Sequence, residues 1–329
     1  MNKIEFPRKG FDGISRSQTK FEGLFLGDVL TTIGKRLGVI TTELKWTSDE
    51  KDCVKFIKKH LHFILIAQPR YLKKIILVMN NKYPTLFLSK AKDSFNKRVL
   101  KAFDYDGYRA GRLVTLAKWL NIRCCPYCNA QFTLYLHKIV KKYHPKGIAI
   151  FHFDHFFNKS DYPYLSMSLY NLIPVCSTCN HTKRKVDLSV ELNPYETDIA
   201  SLFSFRAKDP IKLWQGAAIK DAMPISMVPK SRNTAKLVKE LNDNLFFEKQ
   251  YARFWDVAQE EFDKVYLYPY YSQKGNFPML TATAFDKVTF KQLWFDRITE
   301  KEDIERLPLA KFRQDIREQA CAVLGRMIL

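Results

Sequence analysis

Residues 151–160 read FHFDHFFNKS, with phenylalanines at 151, 153, 156 and 157 around His152, Asp154 and His155. A segment this apolar belongs in a core, where a carboxylate beside two imidazoles is costly unless the groups share a partner. The flanks hold the next clue. CCPYC stands before it at 124–128 and CSTC after it at 176–179, so a Cys-x-x-Cys pair lies on each side. Such a pair forms a tight knuckle that points two thiolates at one ion. Two knuckles complete a tetrahedral four-cysteine zinc site with no open position, which is structural rather than catalytic. The expected ligands are Cys125, Cys128, Cys176 and Cys179. The 47 residues between Cys128 and Cys176 exceed a simple zinc ribbon, so a substantial insert sits inside the frame. Cys124 stays open as a spare thiol or a competing ligand. The rival reading of the set is buried free cysteines.

The chain has 329 residues, 46% of them hydrophobic, enough for two or three compact units and against a disordered chain. The N-terminal MNKIEFPRKGFDG has no apolar stretch of signal-peptide type, and LHFILIA at 61–67 is too short to span a bilayer. A soluble, cytoplasmic protein is expected, and there clustered cysteines suggest metal more than disulfides. The net charge is +20, and it is unevenly placed. Residues 51–150 carry 21 Lys and Arg against 4 Asp and Glu, while the rest of the chain carries 33 against 30. One third of the chain thus looks like a footprint for a polyanion, with nucleic acid the expected partner and no membrane. A solvated face that merely aids solubility is the plainer alternative.

TSDEKDCVKFIKKHLHFILIA at 47–67 opens with a capping-box pattern, Thr47 to Glu50. Cys53, Phe56, Ile57, His60, Leu61 and Ile64 recur at helical spacing, so Cys53 and His60 are expected in the core. Lys51, Lys55, Lys58 and His62 form a basic stripe. PRYLKKIILVM, SKAKDSFNKRVLKAF and GRLVTLAKWLN continue a helical region. Strand-like segments follow at 131–140 and 147–156, with a turn, KKYHPKG, between them; His137 and His144 are expected at the surface. From about 200 the pattern reads as helical again, its aromatics better suited to a core than to stacking on bases.

Within the cysteine frame the order is Cys-x-x-Cys, Asp154-His155, Asn171, Cys176 and Cys179, then Asn180, His181 and Lys183. This ordered set, over residues 124–187, resembles the HNH (ββα-metal, His-Me finger) endonuclease family. The local wording DHFF-KS and YNLIP-C--CN is similar to stand-alone HNH nucleases of bacterial anti-phage systems of the Septu and retron-associated type. With the helical runs on either side, the expected protein is α+β and mainly helical: a basic helical N-terminal region at 1–122, a core at 123–200 that the resemblance makes a treble-clef-like, zinc-stapled nuclease fold, and a helical C-terminal region at 201–329. The resemblance also implies DNA as substrate, and an ATPase or reverse transcriptase as partner in a defence system. Two positions depart from the family pattern: Asn180 stands where the final His is usual, with His181 next, and Asn158 replaces a common Pro.

Phosphodiester hydrolysis needs a base for the attacking water and positive charge for the phosphate and leaving oxygen. Imidazole, with an unperturbed pKa near 6.5, suits the first, so His155 is the expected general base. A hard cation such as Mg²⁺ or Mn²⁺ suits the second, with Asp154 as one ligand and Asn180 or His181 as the other. Asn171 would brace the loop that orients His155. His152 shares a strand face with Asp154 and would either support the metal or pack. Successive strand residues face opposite sides, so the strand is expected to end or bulge at 154–155. Lys51, Lys55 and Lys58, with Lys183, Arg184 and Lys185, are candidate phosphate contacts. A zinc-stabilised nucleic-acid-binding module without activity, and a basic region docking an acidic protein, are the rival readings.

Overall fold

The structure, a computed structural model, describes residues 2–9, 13–109, 111–136, 148–215, 224–272 and 287–325. The protein is α+β and mainly helical, with few short strands. His137, His144 and the expected turn lie outside the described residues. By their contacts the described residues form two units, each discontinuous in sequence. One comprises Lys3–Arg123 and Thr133–Thr197, the other Met1–Asn2, Cys124–Phe132 and Asp198–Leu329.

In the first unit a short antiparallel pair, β1 (Arg8–Lys9) and β2 (Ser15–Arg16), precedes a run of helices. These are α1 (Gln18–Leu26), α2 (Val29–Thr42), α3 (Ser48–Lys59), α4 (Leu61–Ile66), α5 (Pro69–Lys82), α6 (Phe95–Phe103), α7 (Tyr105–Arg109) and α8 (Arg112–Leu120). The capping box at the start of α3 forms: Thr47 N donates to Glu50 Oε2 at 2.7 Å and Glu50 N donates to Thr47 Oγ1 at 3.3 Å. Cys53, Val54 and Ile57 turn inward as the spacing requires. His60 does not. It is exposed, and the helix expected to run through it breaks there into α3 and α4, with the His60 ring 4.6 Å from Phe56. The break turns Leu61, Ile64 and Leu65 into the core on a new axis and leaves the imidazole in solvent. Burial raises the Cys53 thiol pKa well above its usual range, as for an inert core cysteine.

The segment expected as one strand over 147–156 is two. β4 (Ile148–Ile150) pairs with β3 (Leu134–Leu136), and β5 (His152–His155) pairs antiparallel with β6 (Leu172–Val175). Phe151 falls between them, its ring 5.3 Å from that of Phe153. The β5–β6 ladder sets His152 opposite Val175, Asp154 opposite Ile173 and His155 opposite Leu172. The strand therefore ends just after His155, with both polar residues still in the ladder. All of β6 is buried, and Phe156 and Phe157 close the core beyond β5. α9 (Ser177–Lys183) follows β6 directly and packs on β5.

The second unit is less helical than its sequence suggests. FSFRA and ISMVP form an antiparallel pair, β7 (Phe203–Ala207) and β8 (Ile225–Pro229). The alternation of Phe203 and Phe205 with Ser204 and Arg206 is strand periodicity. The helices are α10 (Pro210–Trp214), α11 (Ala235–Leu245), α12 (Phe247–Tyr251), α13 (Trp255–Tyr271), α14 (Lys287–Trp294), α15 (Asp303–Arg306) and α16 (Ala310–Val323). The helical stretch from residue 233, which the sequence allows as one long helix or a pair, breaks at Phe246, which takes a left-handed backbone with φ 53°. Aromatics fill this core: Phe205 stacks on Tyr251 at 4.0 Å, and Tyr251 meets Phe312 at 5.1 Å. Fully buried Glu261 is held by Arg313 at 2.7 Å and Arg317 at 2.8 Å, which compensates a carboxylate that burial would otherwise penalise.

Among the described residues no helix is long and apolar enough to cross a membrane.

Candidate functional site

The cysteine frame closes on itself. Ligand atoms of Cys125, Cys128, Cys176 and Cys179 all lie within 4.8 Å of one another, and all four residues are buried. This tetrathiolate group could hold a structural metal such as zinc. Cys124, also buried, is not part of the group. Local geometry prepares both knuckles. Ala130 N donates to Cys128 Sγ at 3.3 Å, and Cys179 N donates to Cys176 Sγ at 3.5 Å as Cys176 caps α9. Asn129, with φ 58°, fastens the first knuckle: its side chain donates to the Leu307 carbonyl at 3.2 Å and accepts from Lys311 N at 2.9 Å.

Inside the frame, Asn171 is fully buried, and its amide spans the loop after β5. Its Oδ1 accepts from Phe157 N at 2.7 Å, and its Nδ2 donates to the carbonyls of Phe157 and Leu165, both at 3.0 Å. That loop delivers the Ser166 carbonyl to His155 Nε2 at 3.0 Å. A carbonyl only accepts, so Nε2 carries the hydrogen and a neutral ring keeps Nδ1 as an acceptor. Burial, then the positive charge of Lys159, pushes the His155 pKa down to about 3; Lys183 adds to this and the Ser166 carbonyl opposes it. The imidazole is neutral at working pH. Asn158 organises the same loop: its N–H donates to Asp187 Oδ1 at 3.0 Å, and its Nδ2 donates to Asp161 at 2.7 Å.

Asp154 faces α9. Its carboxylate lies 3.2 Å from Lys183 Nζ, with side chains 4% and 0% exposed, and Lys183 also donates to the His155 carbonyl at 3.0 Å. Lys183 is thus an interior ion-pair partner in this arrangement, not the surface phosphate contact that its place in a Lys-Arg-Lys run suggested. Burying its long stem between β5 and α9 leaves the ammonium only protein oxygens to meet. Arg184 and Lys185 are exposed. Asn180 lies one helical turn before Lys183, on the side of α9 that meets β5, and is half-buried. His181 is exposed, with its ring 6.2 Å from that of His152. Burial lowers the His152 pKa, and Arg109 and His181 add to the effect.

The motif reading missed neighbours that come from outside the cysteine frame or from its loops. The Tyr105 ring sits 4.5 Å from the His155 ring, and its hydroxyl donates to the Phe153 carbonyl at 3.3 Å. Lys159 Nζ lies 4.2 Å from the centre of the Tyr105 ring and 3.7 Å from Asp106. Tyr105 and Arg109 both sit on α7, so the basic helical region contributes groups beside the hairpin. No spacing rule connects residue 105 to residue 155; only the tyrosine-rich YDGYR within a basic stretch hinted at it.

On α3, Lys55 and Lys58 are exposed and Lys51 is half-buried. If this stripe contacts phosphate, reversing all three to Glu should weaken binding to nucleic acid of any sequence. It should also flatten the salt dependence, by about one unit of log-log slope for each phosphate no longer neutralised. Titrations at several salt concentrations check this; an unchanged slope would make the stripe a solubility device.

Comparison with protein-family models, with curated proteins and with solved structures gave no match in any of the three.

Proposed function

We propose that the chain is a metal-dependent endonuclease of HNH type that hydrolyses phosphodiester bonds, with DNA the favoured substrate and anti-phage defence, beside an ATPase or reverse transcriptase, its setting. The observation that carries the reading is His155. It is a neutral imidazole, held through Nε2 by a backbone carbonyl on a loop braced by Asn171. A fixed tautomer with Nδ1 left as acceptor is the geometry a general base needs, while burial makes this ring a weaker base than free imidazole. The hairpin-and-helix order of β5, β6 and α9 inside a four-cysteine group supports a treble-clef-like nuclease core.

In this reading His155 Nδ1 takes the proton from the attacking water. Ser166 fixes the tautomer, and Asn171 fixes the loop. Lys159 adds positive charge beside the ring. Asp154 with the Asn180 amide oxygen offers the hard donors that suit Mg²⁺ or Mn²⁺, and His181 in place of Asn180 would favour Mn²⁺. Such a cation, when bound, would supply charge neutralisation at the phosphate and leaving oxygen. Incubating the protein with plasmid, single-stranded DNA and RNA tests the proposal. Cleavage is expected with Mg²⁺ or Mn²⁺ and not in EDTA; intact substrate under every metal would refute it.

One observation favours the second reading, a zinc-stabilised nucleic-acid-binding module. Lys183 already partners the Asp154 carboxylate, so that carboxylate is satisfied without a metal. Lys183→Met separates the two. Removing one member of a buried pair costs about 3–5 kcal/mol, so the melting temperature should fall in metal-free buffer. If Asp154 is a metal ligand, Mn²⁺ should raise the melting temperature of Lys183→Met more than that of the parent. Equal Mn²⁺ shifts would favour the binding module.

A further inference from the structure

We propose that the outward face of α4 and α5 is a stacking platform for unpaired bases, so that the nucleic acid held by this protein is single-stranded or carries an unpaired stretch. The proposal deepens the nucleic-acid reading above and does not depend on catalysis. Phe63 and Tyr71 are 47% and 37% exposed, with ring centres 5.9 Å apart in an edge-to-face pair. One exposed aromatic is ordinary. Here two lie together, and cations attend one of them: the Arg70 guanidinium carbon lies 5.7 Å, and Lys74 Nζ 5.3 Å, from the centre of the Tyr71 ring. Between Asp52 and Asp93 the chain has nine Lys and Arg and no acidic residue. Aromatic faces interleaved with cations along one segment are what bind a single strand: the rings take the bases and the cations follow the phosphates.

Leu77 and Val78, 54% and 48% exposed on α5, would also suit an anionic lipid surface. The polar surroundings favour nucleic acid. Arg70 borders a cavity of about 450 Å³ whose lining includes Gln18 and Gln68, amides that match the hydrogen-bonding edges of bases, together with the carboxylates of Glu5 and Glu196.

The test is binding of the full chain, without added Mg²⁺ or Mn²⁺, to three probes. These are a labelled single-stranded oligonucleotide, the duplex of the same sequence, and phosphatidylserine vesicles. Tyr71→Ala and Phe63→Ala should each lower single-strand affinity about 5- to 150-fold, as expected when one base can no longer stack, and leave duplex affinity within about twofold. Tyr71→Phe should keep parental affinity. Single-strand affinity unchanged by both alanine variants, or lowered equally with the duplex, overturns the proposal. So does vesicle binding that Tyr71→Ala abolishes while single-strand binding persists. Because no cleavage is required, a chain that binds in this way but never cuts would refute the nuclease reading and leave the platform standing.

Discussion

Cys125→Ser should yield protein that lacks zinc and is largely insoluble, whereas the parent should carry about one zinc per chain, as four thiolates per ion require. The four cysteines are buried with their ligand atoms within 4.8 Å of one another. Without an ion, that places four thiols in mutual contact in the core, and the knuckles lose the bond energy that closes them. Metal affinity at such a site is folding energy, so losing one ligand is felt as unfolding rather than as a local defect. Cys124→Ser should keep the zinc, since Cys124 is not part of the group. Metal analysis of the purified proteins decides it. Normal folding of the parent with no bound metal would show that the group is four packed thiols.

His155→Ala should slow nucleic-acid cleavage by about 10²–10⁴-fold, the usual contribution of a general base. The ring contacts Tyr105 and the Ser166 carbonyl, and His155 is not one of the four residues of the cysteine group, so zinc content, folding and binding should persist. Asp154→Asn should differ in kind. It removes a charged donor and also leaves Lys183 buried without its counter-charge, so activity and stability should both fall, and raised Mn²⁺ should restore part of the activity. No metal should rescue His155→Ala fully. Asn180→Ala set against His181→Ala assigns the remaining ligand, as the variant that shifts the metal requirement.

Local signals in the sequence carried far because local chemistry set the structure there. The Thr47–Glu50 cap, the helical runs before residue 122 and the two cysteine pairs each follow from spacing over a few residues. What stayed illegible depends on partners distant in sequence. Lys183 looked like one of three surface cations until its pairing with Asp154, 29 residues away, placed it inside. His60 fitted the apolar stripe of one helix, but the chain breaks there, and periodicity carries no information about a change of axis. β7 and β8, five residues each, pair across an intervening segment of sequence, and the helical pattern that dominates this part of the chain masks their alternation. Tyr105, 50 residues before His155, was beyond any motif.

The most direct measurement is the single-turnover cleavage rate of one end-labelled oligonucleotide. It is followed for the parent and His155→Ala side by side in the same Mn²⁺ and salt, with both proteins verified to carry equal zinc. The predicted result is cleavage by the parent and a rate at least about a hundredfold lower for the variant, with unchanged substrate affinity. Equal rates, or no cleavage by the parent in any divalent metal, would contradict the assignment of His155 as the base of a phosphodiesterase.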